Sequence, residues 1–239
     1  AAGVLVPHMT AQAAQQPEKA IVGSAAADDY YTFRLRSDRC ETDLTHRFYY
    51  SDSFFEHSSL EYDHQLALAT LGLTSAAMNT YASESRYWLS GDQGRSDHIV
   101  EAYGLLGFSN LKILGYDQSM NTFENVDGCA MAQKTLEKNG RRSTLFAVIL
   151  RPTIYGSEWA SNMNIGESGG HEGFVNTTDR LFEQIQEYLT AAAAKHDLGT
   201  VRLWLGGYSR GAAVANLLAA KIGKALPKLY RENIFVYTF

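Results

Sequence analysis

The stretch VRLWLGGYSRGAAVANLLAAKI, residues 201–222, sets three things in direct succession: a largely apolar strand-like run, a glycine-bounded pentapeptide and an alanine-rich helical run. The pentapeptide is Gly207-Tyr208-Ser209-Arg210-Gly211, the pattern G-x-S-x-G. By composition alone such a pattern turns up in roughly one chain in ten of this length, so its weight comes from its flanks. Residues 201–205 predict a buried strand, and residues 210–225 predict a helix that follows at once. A serine forced onto so sharp a strand-to-helix turn has strained backbone angles and crowded neighbours. The residues two before and two after it must lack bulk, hence Gly207 and Gly211. Ser209 Oγ then stands clear of the sheet as a nucleophile, and the Arg210 N–H points to where a tetrahedral oxyanion forms. The helix start adds a partial positive charge there. The plainer reading is a glycine-rich turn that holds an ordinary serine.

Outward from this centre, strand and helix patterns alternate. Residues 234–239 (IFVYTF) predict a strand after the helix. Upstream, residues 177–196 predict a long helix with Leu181, Ile185 and Leu189 on one face, Asp179 in its first turn and Gly199 as its stop. Residues 144–150 (TLFAVIL) are a continuous apolar run, as in a strand covered on both faces. Residues 111–116 and 129–136 predict further strands, and Asn139-Gly140 marks a tight hairpin turn. Helices are expected from His64, over about four turns, and over 97–106. Residues 30–36 and 47–52 are aromatic and β-prone, as in an N-terminal hairpin. The expected fold class is α/β: a mostly parallel sheet flanked by helices. Residues 1–60 are expected to form an extension with short strands, and 61–239 the main domain.

Three motifs together resemble one family. GGYSRGAAVANLLA followed by FVYTF, then LFAVILRPT at 145–153, and His171-Glu172-Gly173-Phe174 are similar to the fungal-lipase-like, class 3 lipases of the α/β-hydrolase superfamily. They occur in the family's order and span about 144–239. The resemblance implies hydrolysis of carboxylic esters by Ser209, with Thr153 beside Arg210 in the oxyanion hole. A threonine at the C-terminal end of a central strand suits that role in its own right, although a β-branched strand end with a local hydrogen bond reads the same way. The chain departs from the pattern at Pro152, where glycine is usual, and at Tyr208, where the family often has histidine.

Residues 154–170 lie where the family carries a lid over the acyl site. Ile154, Tyr155, Trp159, Met163 and Ile165 give the segment an apolar side, and Trp159 and Tyr155, together with Tyr208 beside the serine, are the candidate substrate contacts. The alternative is a packed loop with Trp159 in the core. His171 reads as structural, because in this fold the triad acid and histidine follow the serine. All seven histidines precede Ser209, and Glu232 is the only acid after it. The expectation is therefore a longer hydrolase, whose triad Asp and His come from a further segment or a second chain.

Composition excludes several other classes. The chain has 239 residues, 45% apolar and 20% charged, with a net charge of −5. No basic run suggests nucleic acid, and no apolar run reaches the roughly eighteen residues of a membrane span. No ligand spacing suggests a metal, and no cofactor is expected. Residues 1–26 lack the basic-then-apolar order of a signal peptide and read as the flexible start of a processed or recombinant chain. Cys40 and Cys129 either pair, as in an exported protein, or stay as buried thiols. The leading expectation is a secreted or extracytoplasmic lipase or esterase, acting on an ester or lipid substrate at a lipid–water interface. The alternatives are an esterase of acylated polysaccharide and a non-catalytic lipase-like binding module.

Overall fold

The computed structural model describes residues 30–35, 44–78, 96–116, 128–153, 156–167, 169–193 and 200–239. In chain order these form β1 (Tyr30–Leu35), β2 (Leu44–Tyr49), α1 (His64–Ala76), α2 (Asp97–Leu105), β3 (Ser109–Leu114), β4 (Cys129–Lys138) and β5 (Arg141–Leu150). There follow α3 (Gly156–Met163), α4 (Glu172–Ala193), β6 (Val201–Gly207), α5 (Arg210–Ala225) and β7 (Ile234–Thr238). Single 3-10 turns precede α1, at Asp52–Glu56, and β7, at Arg231–Asn233.

The main sheet has five strands in the order β3-β4-β5-β6-β7. Its two halves differ because its connections differ. Between β4 and β5 stand only Asn139 and Gly140, both at positive φ (50° and 73°), so Lys138 pairs with Arg141 and the strands run antiparallel. The β5-to-β6 and β6-to-β7 connections pass through helices, which returns the next strand parallel. The sheet is thus mixed, with its parallel half confined to β5-β6-β7.

Alternate residues of β5 and β6 face opposite layers. Leu145, Ala147, Ile149 and Trp204 belong to a core with α1, α2 and the antiparallel β1–β2 hairpin. Phe146, Val148, Leu150, Leu203 and Leu205 belong to the other, with Leu181, Ile185 and Leu189 of α4 and Val214, Leu218 and Ile222 of α5. Trp204 ties the first layer together: it packs against Tyr50 and Phe55, at ring separations of 5.9 and 5.2 Å, and its Nε1 donates to Thr70 Oγ1 at 2.9 Å. Among the described residues, no helix is long and apolar enough to cross a membrane.

Several boundaries depart from expectation. The second N-terminal strand begins at Leu44, and Asp52, expected in it, opens the 3-10 turn instead, where the Ser51 side chain accepts from Ser53 N. α4 begins at Glu172, five residues before the expected start, so Asp179 lies inside the helix and pairs with Lys221 of α5. Gly173, Val175, Thr177 and Thr178 have poor helix propensity, and contacts from α3 and α5 override it. The expected end of that helix, with His196 and Gly199, lies outside the described residues, as do Tyr81 and Cys40. Cys129 is buried in the second core. Residues 156–163 form a helix rather than a loop, and Trp159 is 55% exposed, so it is not a core residue.

Candidate active site

β6 ends at Gly207 and α5 begins at Arg210, which leaves Tyr208 and Ser209 to make the whole turn. Ser209 adopts φ 54° and ψ −117°, a conformation that a side chain rarely accepts. The two flanking glycines are forced by backbone approach. A Cβ on Gly207 would lie 2.2 Å from the Gly211 carbonyl oxygen, and one on Gly211 would lie 2.6 Å from the Arg151 carbonyl oxygen and 2.7 Å from that of Leu150. The turn is braced from the neighbouring strand: Ser209 N donates to Phe239 O at 2.8 Å, and Phe239 N to Gly207 O at 3.0 Å. Ser209 occupies the N-cap position of α5, yet its side chain makes no capping bond. Serine is favoured there because it caps, and this one does not. Ser209 is exposed, and so is Tyr208 before it.

Thr153 stands at the same end of the sheet. β5 and β6 are parallel neighbours with Leu150 opposite Gly207, so Thr153 and Ser209 lie just past the C-terminal ends of adjacent strands. This is where ligands bind in open α/β sheets. Thr153 is partly buried, and its Oγ1 accepts from Asn162 Nδ2 at 2.9 Å.

α3 closes one side of the site through a buried polar face. Arg151, the residue after β5, donates from both terminal nitrogens to Glu158, at 3.1 and 2.7 Å, with the side chains 1% and 4% exposed. Arg151 also donates to the carbonyls of Pro152 and Gly115, so the departure at Pro152 is taken into this network as an acceptor. From the other side, Arg210 reaches Asn162, Ser161 and Thr177. The opposite face of α3 and the loop after it carry Trp159, Met163 and Ile165, with Met163 and Ile165 both 70% exposed.

His171 is engaged where it stands. Its ring stacks on Phe174 at 3.8 Å between centroids, Nε2 lies 3.0 Å from the Asn162 carbonyl, and Nδ1 accepts from Phe174 N. Gly173 follows because α3 leaves no room there: a Cβ would sit 1.9 Å from the Ser161 carbonyl oxygen. Among the described residues, no histidine or carboxylate bonds Ser209 Oγ. Tyr155, expected at the site, lies outside the described residues.

Residues 144–239, from the buried run of β5 through both motif serine and threonine to the end of β7, match the family model of the class 3 lipases. That segment belongs to the class 3 lipase family. Among solved structures, the chain is similar to a fungal lipase in an inhibitor complex, at 15% identity and a TM-score of 0.46 over 79% of this chain and 62% of that one. It is similar to the Rhizomucor miehei triacylglyceride lipase at 14% identity and 0.45, over 74% and 62%. For the lipase from Rhizopus microsporus var. chinensis the values are 11% and 0.42, over 90% and 67%. The chain spans 62% of the length of each of the first two. No curated protein sequence matches it.

Within the segment that matches the class 3 lipases, Thr153, His171 and Ser209 lie around the short helix α3 and the turn that precedes α5. Thr153, His171 and Arg210, the residue after Ser209, all bond Asn162 of α3. The sequence reading missed the Arg210 side chain, Asn162, and the Arg151–Glu158 pair. Arg151 directly follows a predicted strand and Arg210 directly follows the candidate nucleophile, each in a run otherwise short of charge, and that placement was their one visible signal.

Proposed function

We propose that this chain carries the nucleophile and the oxyanion hole of a serine hydrolase that cleaves carboxylic esters of lipids. Ser209 Oγ attacks the ester carbonyl carbon. The carbonyl electron pair moves to oxygen, where the Arg210 N–H and Thr153 hold the oxyanion. The alcohol then leaves with a proton, and water releases the acyl group from Oγ by the same route. A general base must take the Oγ proton. His171, committed to Asn162 and Phe174, is not that base.

The observation that carries this reading is the Ser209 backbone, strained at an N-cap whose side chain does not cap. Such strain persists only where the surroundings impose it, and it gathers at functional sites. The lipid substrate is supported by Trp159, Met163 and Ile165, whose exposure makes an apolar rim beside the site. A polysaccharide substrate would call for a polar one.

The test is ester turnover by the full-length protein. Ser209→Ala is expected to abolish p-nitrophenyl butyrate hydrolysis. Thr153→Val is expected to lower kcat by a factor on the order of ten to a thousand through the lost hydroxyl donor. Turnover retained in Ser209→Ala removes Ser209 from the mechanism, and an unchanged kcat in Thr153→Val removes that hydroxyl.

A further inference from the structure

Pro152 stands directly before Thr153, where the class 3 lipases usually have glycine. The peptide group that joins the two carries the Pro152 carbonyl on one side and the Thr153 N–H on the other. Two backbone angles of Pro152 orient that group. The pyrrolidine ring holds φ at about −65°. The other angle is held from outside, because Arg151 Nη1 donates to the Pro152 carbonyl at 2.9 Å.

The guanidinium that holds this carbonyl is itself fixed. Arg151 is 1% exposed, its two terminal nitrogens grip the Glu158 carboxylate as a fork, and Nη2 also donates to Gly115 O at 2.9 Å. Gly128 is glycine for its sake: a Cβ there would stand 2.0 Å from Arg151 Nε. These partners also give a direction. Gly115 follows β3 and Gly128 precedes β4, so the guanidinium lies on the β4 side of β5, whereas Ser209 follows β6 on the other side. The Pro152 carbonyl points to the guanidinium. Across a planar trans peptide the N–H points the opposite way, so the Thr153 N–H is turned to the side of Ser209. Among the described residues, no hydrogen bond takes up that N–H.

We propose that Pro152 is a positioning residue: with its carbonyl pinned by Arg151, it holds the Thr153 N–H aimed at the oxyanion before substrate arrives. This rests on the oxyanion role of Thr153 proposed above. Glycine at 152 would keep the carbonyl but free the φ angle.

The test is Pro152→Gly in the full-length protein, with Pro152→Ala as a second variant. Pro152→Gly is expected to lower kcat for p-nitrophenyl butyrate about tenfold, part of the roughly hundred- to thousandfold that loss of a whole oxyanion donor costs, with KM unchanged. Affinity for butylboronic acid, whose tetrahedral serine adduct places an oxygen in the oxyanion hole, falls by the same factor. Pro152→Ala, with a narrower range of φ, loses less of both. A purely structural defect would lower kcat through the active fraction and leave the boronate affinity as it was, so that pattern overturns the proposal. Full kcat in both variants, beside an impaired Thr153→Val, overturns the positioning role and leaves the oxyanion role standing. Full kcat in Thr153→Val as well takes Thr153 out of the oxyanion hole and this inference with it.

Discussion

Ser209 owes its conformation to two atoms that are absent, the Cβ atoms of Gly207 and Gly211. Each would collide with backbone, so the turn cannot relax by moving a side chain. A backbone held in such a region stores about 1–3 kcal/mol. Ser209→Gly is therefore expected to be more stable than Ser209→Ala in urea unfolding, although neither has the proposed nucleophile, because only glycine relieves the strain. Equal stability would mean that the turn carries none. This much was legible from G-x-S-x-G between a strand and a helix, because the constraint is local. The role of the Arg210 side chain was not, since its partners Asn162 and Ser161 lie 48 and 49 residues away in the chain. A buried arginine can be noticed in a sequence, but its acceptors are chosen by packing.

Among the elements, β4 and β5 were legible down to their turn, because Asn139-Gly140 fixes both the register and the antiparallel sense. α3 was not. Its eight residues hold only three apolar side chains, Trp159, Ala160 and Met163, too short a run to announce a helix, and tertiary bonds hold it: Glu158 on Arg151 from one side, Ser161 and Asn162 on Arg210 from the other. Glu158→Ala leaves the Arg151 charge buried without that carboxylate, and is expected to cost about 3–5 kcal/mol in chemical unfolding. A loss below 1 kcal/mol would show that α3 is not anchored there. The outer side of the same segment bears on substrate form. If its apolar rim meets aggregated lipid, the full-length protein works faster above the aggregation threshold of its ester than below it, and Trp159→Ser reduces the difference. Equal rates on both sides of the threshold would count against that rim.

At the scale of the whole molecule, the strand that leads into Ser209 is clamped between two layers, and the N-terminal aromatic residues belong to one of them through Trp204. The sequence showed those aromatics as a hairpin, but their docking on β6 is a contact between residues over 150 positions apart and left no local trace. Buried phenols in both layers make the fold sensitive to alkali. Burial pushes Tyr188 up from 10.0 to about 12 and holds Tyr50 and Tyr103 well above their ordinary value. The folded state thus keeps protons that the unfolded state gives up, so this stability is fully present below pH 10 and is lost as pH rises toward 12. The urea midpoint is expected to be lower at pH 11 than at pH 9, and less so in Tyr188→Phe; a flat profile would contradict the assigned burial. All of this packing serves to hold one serine in a strained turn, and that claim has a direct measurement. Treat the full-length protein with a fluorophosphonate and map the adduct by peptide mass spectrometry. The account predicts one stoichiometric adduct on Ser209, lost in Ser209→Ala. An unlabelled Ser209, or a label on another residue that persists in Ser209→Ala, would contradict it.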